Sequence, residues 1–511
     1  MRVSLVSLAR PKFSRGPILK RSPNMASPSP SGSKSSRSSS SRDELPPFKF
    51  GPYSPLNLPD ESSRKGISNL VSKITDFNEL KIYPEIRNSL LNEVKKHTVL
   101  RSQNFVRPAK VKTENELNGL IIRPTPIQTA AIKIINNKRK PGEFFKTFTL
   151  AAETGSGKTW AYLAPLLQQL LQGLKEPEVT SSPSIRAKAG IKSVILVPTH
   201  ELVDQVYETA KYVGDDLNLS VFKWDTDSNF KEFISVFRTG IDIFVTTPGK
   251  FHSLSRYDSL KSSPKVLFGS ISFCVVDEAD TLMDESFLPD TQSIISKMSR
   301  LETLVFASAT YPARFNKTIN HLYPTITTIS TPQLHKLPKS IEFRVVNASV
   351  APYKGSKMKA LAQALYAIYC DGTEEGYQKR VLIFVNKKDD CEKVSNKLQE
   401  YGHDVTFISS EDTPDARREK VAPFISTPTP SEERQLKVLV CTDLLSRGLN
   451  FKGVRNVILL DVPANSADLV HRAGRTGRMN QGGRVFLIIN DADKGHVKGL
   501  PKVLRNNRRL G

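Results

Sequence analysis

From Met1 to Arg42 there is no acidic side chain. The 511 residues carry four cysteines, none in a CxxC pair, and no apolar run near the ~18 residues a membrane span needs. Each absence excludes something. Isolated cysteines build neither a disulfide framework nor a zinc site, so Cys274, Cys370, Cys391 and Cys441 read as reduced core residues. Without a long apolar run there is no helical membrane span. A stretch without acidic groups, rich in arginine and serine, does not read as part of a folded core. What is there in excess is positive charge: 74 Lys+Arg against 51 Asp+Glu, a net +23. Such a field favours a polyanion, nucleic acid first and an anionic membrane surface second. Length allows two or three domains, and 38% hydrophobic with 24% charged residues is the composition of a globular chain.

The segment MRVSLVSLARPKFSRGPILKR spaces Val3, Leu5, Val6 and Leu8 amphipathically among basic residues, the pattern of a mitochondrial presequence. The following SPSPSGSKSSRSSSSR equally suits a disordered basic arm. Residues 1–42 are therefore set apart from the fold as a presequence-like, disordered basic segment.

Residues 43–119 form a polar, basic extension in which ISNLVSKITDFNELKIYPEIRNSLLNEVKKH has helical periodicity. Beyond it, short β-branched runs alternate with helical stretches: FFKTFTLAA, SVILVPT, IDIFVTT, SFCVVDEAD and TLVFASAT, then RVLIFVNKK, VTFISS, LKVLVCTD, VRNVILLDVP and GRVFLII. Near-continuous apolar strands separated by helices predict parallel sheets in two α/β domains. The expected boundaries are 120–331 for the first domain, a proline-punctuated linker at 332–340, and 341–511 for the second with its basic tail. In that tail Lys502, Arg505 and Arg509 are expected on one helical face, as a nucleic-acid grip or as a solvated basic helix.

The chemistry begins at AAETGSGKT, residues 151–159, between the strand FTLAA and a helix. In that context backbone N–H groups of Ala152, Glu153, Thr154, Gly155, Ser156 and Gly157 wrap phosphates at a helix N-terminus. Lys158 is placed for the β and γ phosphates and Thr159 for Mg2+. Ala152 stands where the strict pattern has glycine. FCVVDEAD then ends a strand in two carboxylates: Asp277 to hold Mg2+ and Glu278 to orient and deprotonate an attacking water.

With VVDEAD the chain resembles the DEAD-box RNA helicases, and the family's other motifs follow in order: RPTPIQ, VPTHELVDQ, TTPGK, SAT, VLIFVNKK, CTDLLSRGLNF and HRAGRTGR. The resemblance implies two tandem RecA-like domains, ATP and Mg2+ as cofactors, and RNA as the partner. Residue by residue, it implies that Gln128 reads the adenine edge, that Arg475 and Arg478 act as arginine fingers, and that Ser308, Ala309 and Thr310 couple ATP to RNA. Pro198, Thr199, Thr247, Pro248, Gly249, Arg417 and Thr442 would line a groove for the RNA backbone. Several details, with the presequence-like start, resemble the fungal mitochondrial members of the family. Those are linked to mitochondrial RNA metabolism and large-subunit ribosome assembly, which implies a matrix location, mitochondrial ribosomal RNA as substrate and large-subunit precursors as partners. A DNA-unwinding enzyme shares the two-domain core, but the glutamine motif and the DEAD spelling point to RNA.

There are departures. His200 stands where the family has arginine, no glycine pair occurs around FKWDTDSNF, and SSEDTPDAR replaces a His-Gly and a later glutamine. Asn450 takes the place of an aspartate that binds the ATP ribose, and the usual aromatic before the glutamine motif is missing unless Phe77 fills it. The competing function is a slowly turning-over RNA clamp, or assembly factor. Deleting residues 1–42 is expected to abolish mitochondrial import and leave ATPase activity at the parent rate; import of the truncated protein into isolated mitochondria would refute the presequence.

Overall fold

The computed structural model describes residues 74, 76–95, 122–137, 144–175, 190–257, 267–331, 333–374, 376–409, 411–426, 428, 435–443, 449, 451–477, 482–506 and 509–510. The presequence-like segment, Asn450 and Arg478 lie outside these residues.

Two parallel sheets organise the chain. The first is built from β1 (Lys146–Ala151), β2 (Ile191–Leu196), β3 (Val221–Trp224), β4 (Ile241–Thr246), β5 (Phe273–Asp277), β6 (Thr303–Ser308) and β7 (Thr327–Ser330). Its strand order is β3-β4-β2-β5-β6-β1-β7. The second comprises β8 (Ile341–Asn347), β9 (Lys379–Phe384), β10 (Asp404–Phe407), β11 (Leu436–Cys441), β12 (Val454–Leu459) and β13 (Gly483–Ile489), in the order β10-β11-β9-β12-β13-β8. The paired strands run parallel throughout, so the connections cross over through helices. Those of the first domain are α1 (Pro84–Glu93), α2 (Pro126–Ile135), α3 (Lys158–Lys175), α4 (His200–Asp216), α5 (Phe230–Thr239), α6 (Pro248–Leu254), α7 (Ala279–Leu282), α8 (Leu288–Ser296) and α9 (Ala313–Leu322). Those of the second are α10 (Lys357–Cys370), α11 (Lys388–Glu400), α12 (Pro414–Ile425), α13 (Ser466–Ala473), α14 (Lys494–Val497) and α15 (Leu500–Arg505).

The strands read as unbroken apolar runs because both faces are buried. In β6, Val305 and Ala307 face the core shared with α1 to α4, while Leu304 and Phe306 face the one shared with α5 to α9. β9 divides likewise, with Val381 and Ile383 toward α10 and α11, and Leu382 and Phe384 toward α12 and α13. The expected pair of RecA-like parallel-sheet domains is borne out. Three strands escape the sequence pattern, β3, β7 and β8, and all three lie at sheet edges. An edge strand is short or half-exposed, so it alternates or carries polar residues; β8 leaves Glu342 and Arg344 exposed.

The stretch from Phe77 to Leu90 packs into the first domain's core with α3 and α4. Phe77 itself is buried there, behind a capping box formed by Asp76 and Glu79. The backbone N–H of Tyr83 donates to Gln168 Oε1 (2.8 Å) and Ser89 Oγ donates to Asp216 Oδ2 (2.9 Å). Of the cysteines, Cys274, Cys391 and Cys441 are buried as expected, but Cys370 is exposed. It closes α10 on the outer face, one turn after the exposed Tyr366.

The tail corrects another expectation. The helix carrying Lys502 ends at Arg505, so Arg509 does not continue its face. The chain turns back instead and buries Leu510 fully, with Arg509 also buried beside His335. Burying a leucine side chain contributes about 1.5–3 kcal/mol, more than a further turn of exposed helix offers. The N–H of Leu510 donates to the carbonyl of His335 (3.0 Å), and the N–H of Tyr311 donates to His335 Nε2 (3.0 Å). The chain between the sheets is thus fastened to the first domain through Tyr311 and to the end of the chain through Leu510.

Burial, followed by the nearby Arg509 charge, holds the His335 imidazole down at about 3. Its unfolded value is near 6.5, so the folded state carries it neutral and loses stability as pH falls below about 6.5, by up to about 1.4 kcal/mol per pH unit. The stability advantage of the parent over His335→Gln should therefore shrink between pH 7 and pH 5. Thermal melts of both proteins across that range check this; a constant gap would show that His335 does not titrate in this way.

Candidate active site

The loop between β1 and α3 is shaped by two glycines in left-handed backbone, Gly155 (φ 75) and Gly157 (φ 83). A Cβ at Gly157 would lie 2.4 Å from Gln128 Nε2, so the loop and the glutamine are packed as one unit. Gln128 is buried: its Oε1 accepts from the Thr125 N–H (2.9 Å) in a capping box at the start of α2, and its Nε2 donates to the Gly157 carbonyl (3.4 Å). Lys158 Nζ folds back to donate to the carbonyls of Ala152 (2.9 Å) and Glu153 (3.1 Å). Burial lowers its pKa, opposed by the charges of Glu278, Asp277 and Glu153. Glu153 Oε2 in turn accepts from Thr331 Oγ1 (2.5 Å), which ties the loop to the end of β7. Ser156 Oγ is buried and has no hydrogen-bond partner among the described residues. Left-handed glycines, a helix start and an orphaned hydroxyl fit the phosphates of a nucleotide.

At the end of β5 the carboxylates Asp277 and Glu278 are both buried. Glu278 has left-handed backbone (φ 49), an uncommon conformation for a residue with a side chain. It breaks the strand and starts α7. The Glu278 N–H donates to Asp277 Oδ1 (2.9 Å) and the Tyr162 hydroxyl donates to Oδ2 (2.9 Å). Burial, and then the Glu278 charge, push Asp277 up to about 6, while burial, and then the Asp277 charge, push the Tyr162 phenol above its ordinary range. Glu278 Oε2 has no partner among the described residues. Two buried carboxylates that repel each other, with the Thr159 hydroxyl bonded to the same Tyr162 that holds Asp277, are an oxygen donor set that suits Mg2+. Tyr162 was not picked out in the sequence. Its place one turn along α3 from the phosphate loop is the only signal for it there.

The two domains meet at a buried junction. Ser308, at the end of β6, donates to the Thr310 carbonyl (2.8 Å) and accepts from the Thr310 N–H (3.1 Å), with Ala309 buried between them. Thr310 Oγ1 donates to Asp280 Oδ2 (2.5 Å) and lies 3.3 Å from His471 Nε2. His471 Nε2 is 2.9 Å from that same Asp280 oxygen. His471 belongs to α13 of the second domain, so one imidazole bonds to both the β6 turn and the DEAD turn of the first. Glu278, Asp280 and His471 also bring three ligand atoms within 4.8 Å of one another. Asp280 and His471 are already bonded to each other and to Thr310, and the set reads as a hydrogen-bonded contact.

Beside it, Arg472 donates to both oxygens of Asp443 (2.6 Å each) and to Asn386 Oδ1 (2.7 Å), which fixes α13 within its own domain. Arg475 is buried, with Nε donating to the His471 carbonyl (2.9 Å) and Nη1 to the Leu449 carbonyl (2.8 Å). Its charge is close enough to Lys158 to help lower that pKa. Gly474 was not singled out in the sequence, yet a Cβ there would lie 2.2 Å from Thr154 Oγ1 of the phosphate loop.

The residues expected to face a polyanion are capped turns at helix starts. Thr199 Oγ1 accepts from the Leu202 N–H (3.3 Å) after Pro198, and Thr247 Oγ1 accepts from the Lys250 N–H (3.4 Å) ahead of Pro248. Gly249 has open space where a Cβ would be, and Thr442 follows β11. Arg417 is drawn inward, with Nη2 donating to the Ser409 carbonyl (3.4 Å) and Nε 3.7 Å from Glu201 of the first domain.

A model of the DEAD/DEAH box helicases matches residues 125–319, and one of the helicase conserved C-terminal domain matches 356–480. The chain is 41% identical over 504 residues to the mitochondrial ATP-dependent RNA helicase MRH4 of Saccharomyces cerevisiae, covering 91% of this chain and 87% of that one. It is 42% identical over 503 residues to the protein of the same name from Candida glabrata, covering 91% and 85%. Among solved structures it resembles S. cerevisiae Dbp5 bound to RNA and ADP BeF3, with a TM-score of 0.60, 21% identity and coverage of 84% and 93%. It also resembles Mss116p bound to ssRNA and AMP-PNP, with a TM-score of 0.62, 20% identity and coverage of 85% and 78%. At these identities the solved structures speak to the fold.

Gly474 has φ −70, which alanine adopts freely, so an alanine there conflicts only through its contacts. Gly474→Ala should disfavour the observed domain contact by about 1–3 kcal/mol, as overpacking does. The expected result is a roughly 5- to 150-fold loss of RNA-stimulated ATPase efficiency with nucleotide affinity unchanged. Steady-state ATPase assays beside nucleotide titrations measure both; parent-like turnover would mean the contact is not needed.

Proposed function

The chain belongs to the DEAD-box family of ATP-dependent RNA helicases, and from that premise we propose how its own residues carry out the work. ATP and Mg2+ sit on the first domain. The Ala152–Gly157 loop and Lys158 hold the phosphates, Gln128 meets the adenine edge, and Thr159 with Asp277 holds the metal. Bound there, Mg2+ supplies charge neutralisation at the phosphates. Tyr162 keeps Asp277 oriented by its 2.9 Å hydrogen bond. Glu278, with an oxygen free of partners among the described residues, orients and deprotonates the attacking water. Arg475, and with it Arg478, stabilises the charge that develops on the transferred phosphoryl group. From the second domain Asn450 accepts from the ATP ribose.

RNA lies along the capped turns of both domains, met by Pro198, Thr199, Thr247, Pro248, Gly249 and Thr442 through phosphates rather than base edges, while Arg417 stays drawn in toward Glu201. ATP and RNA each favour the closed pair of domains, so each raises the other's affinity. Closure then strains and locally unwinds a duplex, or remodels a ribonucleoprotein. The observation that carries this reading is the junction of Thr310, Asp280 and His471, with Gly474 against Thr154. It joins the phosphate loop, the carboxylate strand and α13 into one assembly that neither domain has alone. With Lys158, Asp277, Glu278 and Arg475 all brought to that assembly, turnover is favoured over a static RNA clamp. The likeness to mitochondrial relatives and the presequence-like start support action in the mitochondrial matrix on ribosomal RNA during large-subunit assembly. The domain limits 120–331, 332–340 and 341–511 belong to the same reading.

Glu278→Gln should bind ATP and RNA yet lose turnover by about 10²- to 10⁴-fold, the contribution of a positioned base. Arg475→Ala should keep nucleotide affinity and lose roughly 10³ in kcat, and Arg475→Lys should recover little, since an ammonium does not reproduce the guanidinium fork. ATPase rates with and without RNA, beside nucleotide binding, test these; RNA-stimulated turnover near the parent in Arg475→Ala would overturn the two-domain mechanism.

A further inference from the structure

Helix α12 of the second domain carries, next to Arg417, a second arginine with a different set of partners. Arg418 Nε lies 3.2 Å from Asp204 Oδ2 and Nη2 donates to Asp225 Oδ2 at 3.1 Å. Nη1 pairs with Asp227 and, in its own helix, lies 3.3 Å from Asp415 Oδ1. Three guanidinium nitrogens therefore meet three carboxylates of the first domain, one from α4 and two from the turn after β3.

That turn is built to present them. Asp225 Oδ1 accepts from the Thr226 N–H (2.7 Å) and pairs with His200 Nδ1, while the Asp225 N–H donates to Ser228 Oγ (2.8 Å). Asp225 is buried, its side chain 1% exposed, and Asp204 also pairs with Lys223. The first domain's own partners in the notch are Lys223 and the His200 ring, set against Asp204, Asp225 and Asp227. Such an acidic notch repels nucleic-acid phosphate in a protein of net charge +23. What it accepts is a cation with several donors.

Two departures from the family pattern also meet here. His200 replaces an arginine, and FKWDTDSNF, which lacks the glycine pair, supplies Asp225 and Asp227. We propose that Arg418 is a positioning residue for ATP hydrolysis, the second domain's half of an ionic latch that closes on the Asp204, Asp225 and Asp227 notch and holds the domains together through protein–protein ion pairs. The latch acts at a distance from the phosphates and lowers the amount of RNA needed for closure. The proposal rests on the reading that hydrolysis requires the closed pair of domains.

The full chain is labelled for energy transfer at the exposed Cys370 and at a cysteine introduced by Glu232→Cys on exposed α5. Closure is followed with AMP-PNP while single-stranded poly(U) is titrated, and ATPase is measured in parallel. In Arg418→Ala the RNA concentration for half-closure should rise on the order of tenfold, with the same rise in half-saturating RNA for ATPase and a plateau rate unchanged within about twofold. Asp227→Ala, at a half-exposed position that tolerates truncation, removes one of the three pairs and should raise both by a smaller factor. The double variant should be no worse than Arg418→Ala alone, because Asp227 acts through that guanidinium. Arg418→Asp with Asp227→Arg should regain part of the loss, and Arg418→Lys should fall between parent and alanine. Closure of Arg418→Ala at parent RNA concentrations, or additive losses in the double variant, would overturn the latch. Because energy transfer reads closure without hydrolysis, a failure of the two-domain mechanism would show in Arg475→Ala turnover and leave this result standing.

Discussion

One buried imidazole carries the contact on which the rest depends. His471 projects from α13 into the first domain, where it bonds to Asp280 and Thr310. A histidine, an aspartate and a threonine hydroxyl removed from water are costly to leave unpaired. Asp280 and Thr310 bond to each other within the first domain, and the imidazole reaches them only when the domains touch. The contact is therefore conditional. Its members are almost fully buried here, and separating the domains leaves the imidazole without either partner.

On the proposed reading, the same logic builds ATP chemistry at a seam. Asp277 and Glu278 are held side by side at a strand end, where burial and mutual repulsion raise the first to about 6. Lys158 brings positive charge to the pair, and Arg475 of the other domain is close enough to act on Lys158. The lysine is fixed by carbonyls of its own loop, and the arginine by carbonyls of its own helix and of Leu449. Each group is pre-oriented by its domain, so closure joins two finished halves with little reorganisation, as electrostatic stabilisation of a transition state requires. The Arg418 latch would add a second attachment between the domains, through ion pairs that are partly exposed and thus sensitive to salt.

The connection between the sheets is less free than its prolines suggest. His335 receives Tyr311 from the first domain and Leu510 from the end of the chain. Leu334 and Leu337 are buried on either side of it. A linker tied at both ends restricts the arrangements the two domains can sample, and with them the entropy lost when they come together.

The sequence by itself determined the two parallel-sheet domains and the residues of the proposed nucleotide site. Central strands of a parallel sheet are apolar on both faces, and a phosphate loop is a local device whose glycines, lysine and threonine must be consecutive. Both can be read along the chain. The tertiary structure alone decided the edge strands β3, β7 and β8, which are too short or too polar to show a core pattern. It alone brought Tyr162 to Asp277, Gly474 to Thr154, and Arg417 and Arg418 to carboxylates of the other domain. It also took Arg509 from an exposed helical face to a buried place by the linker. These pairs are far apart in sequence, and nothing local distinguishes an arginine bound for phosphate from one bound for aspartate. That choice is made by what the folded chain places opposite it.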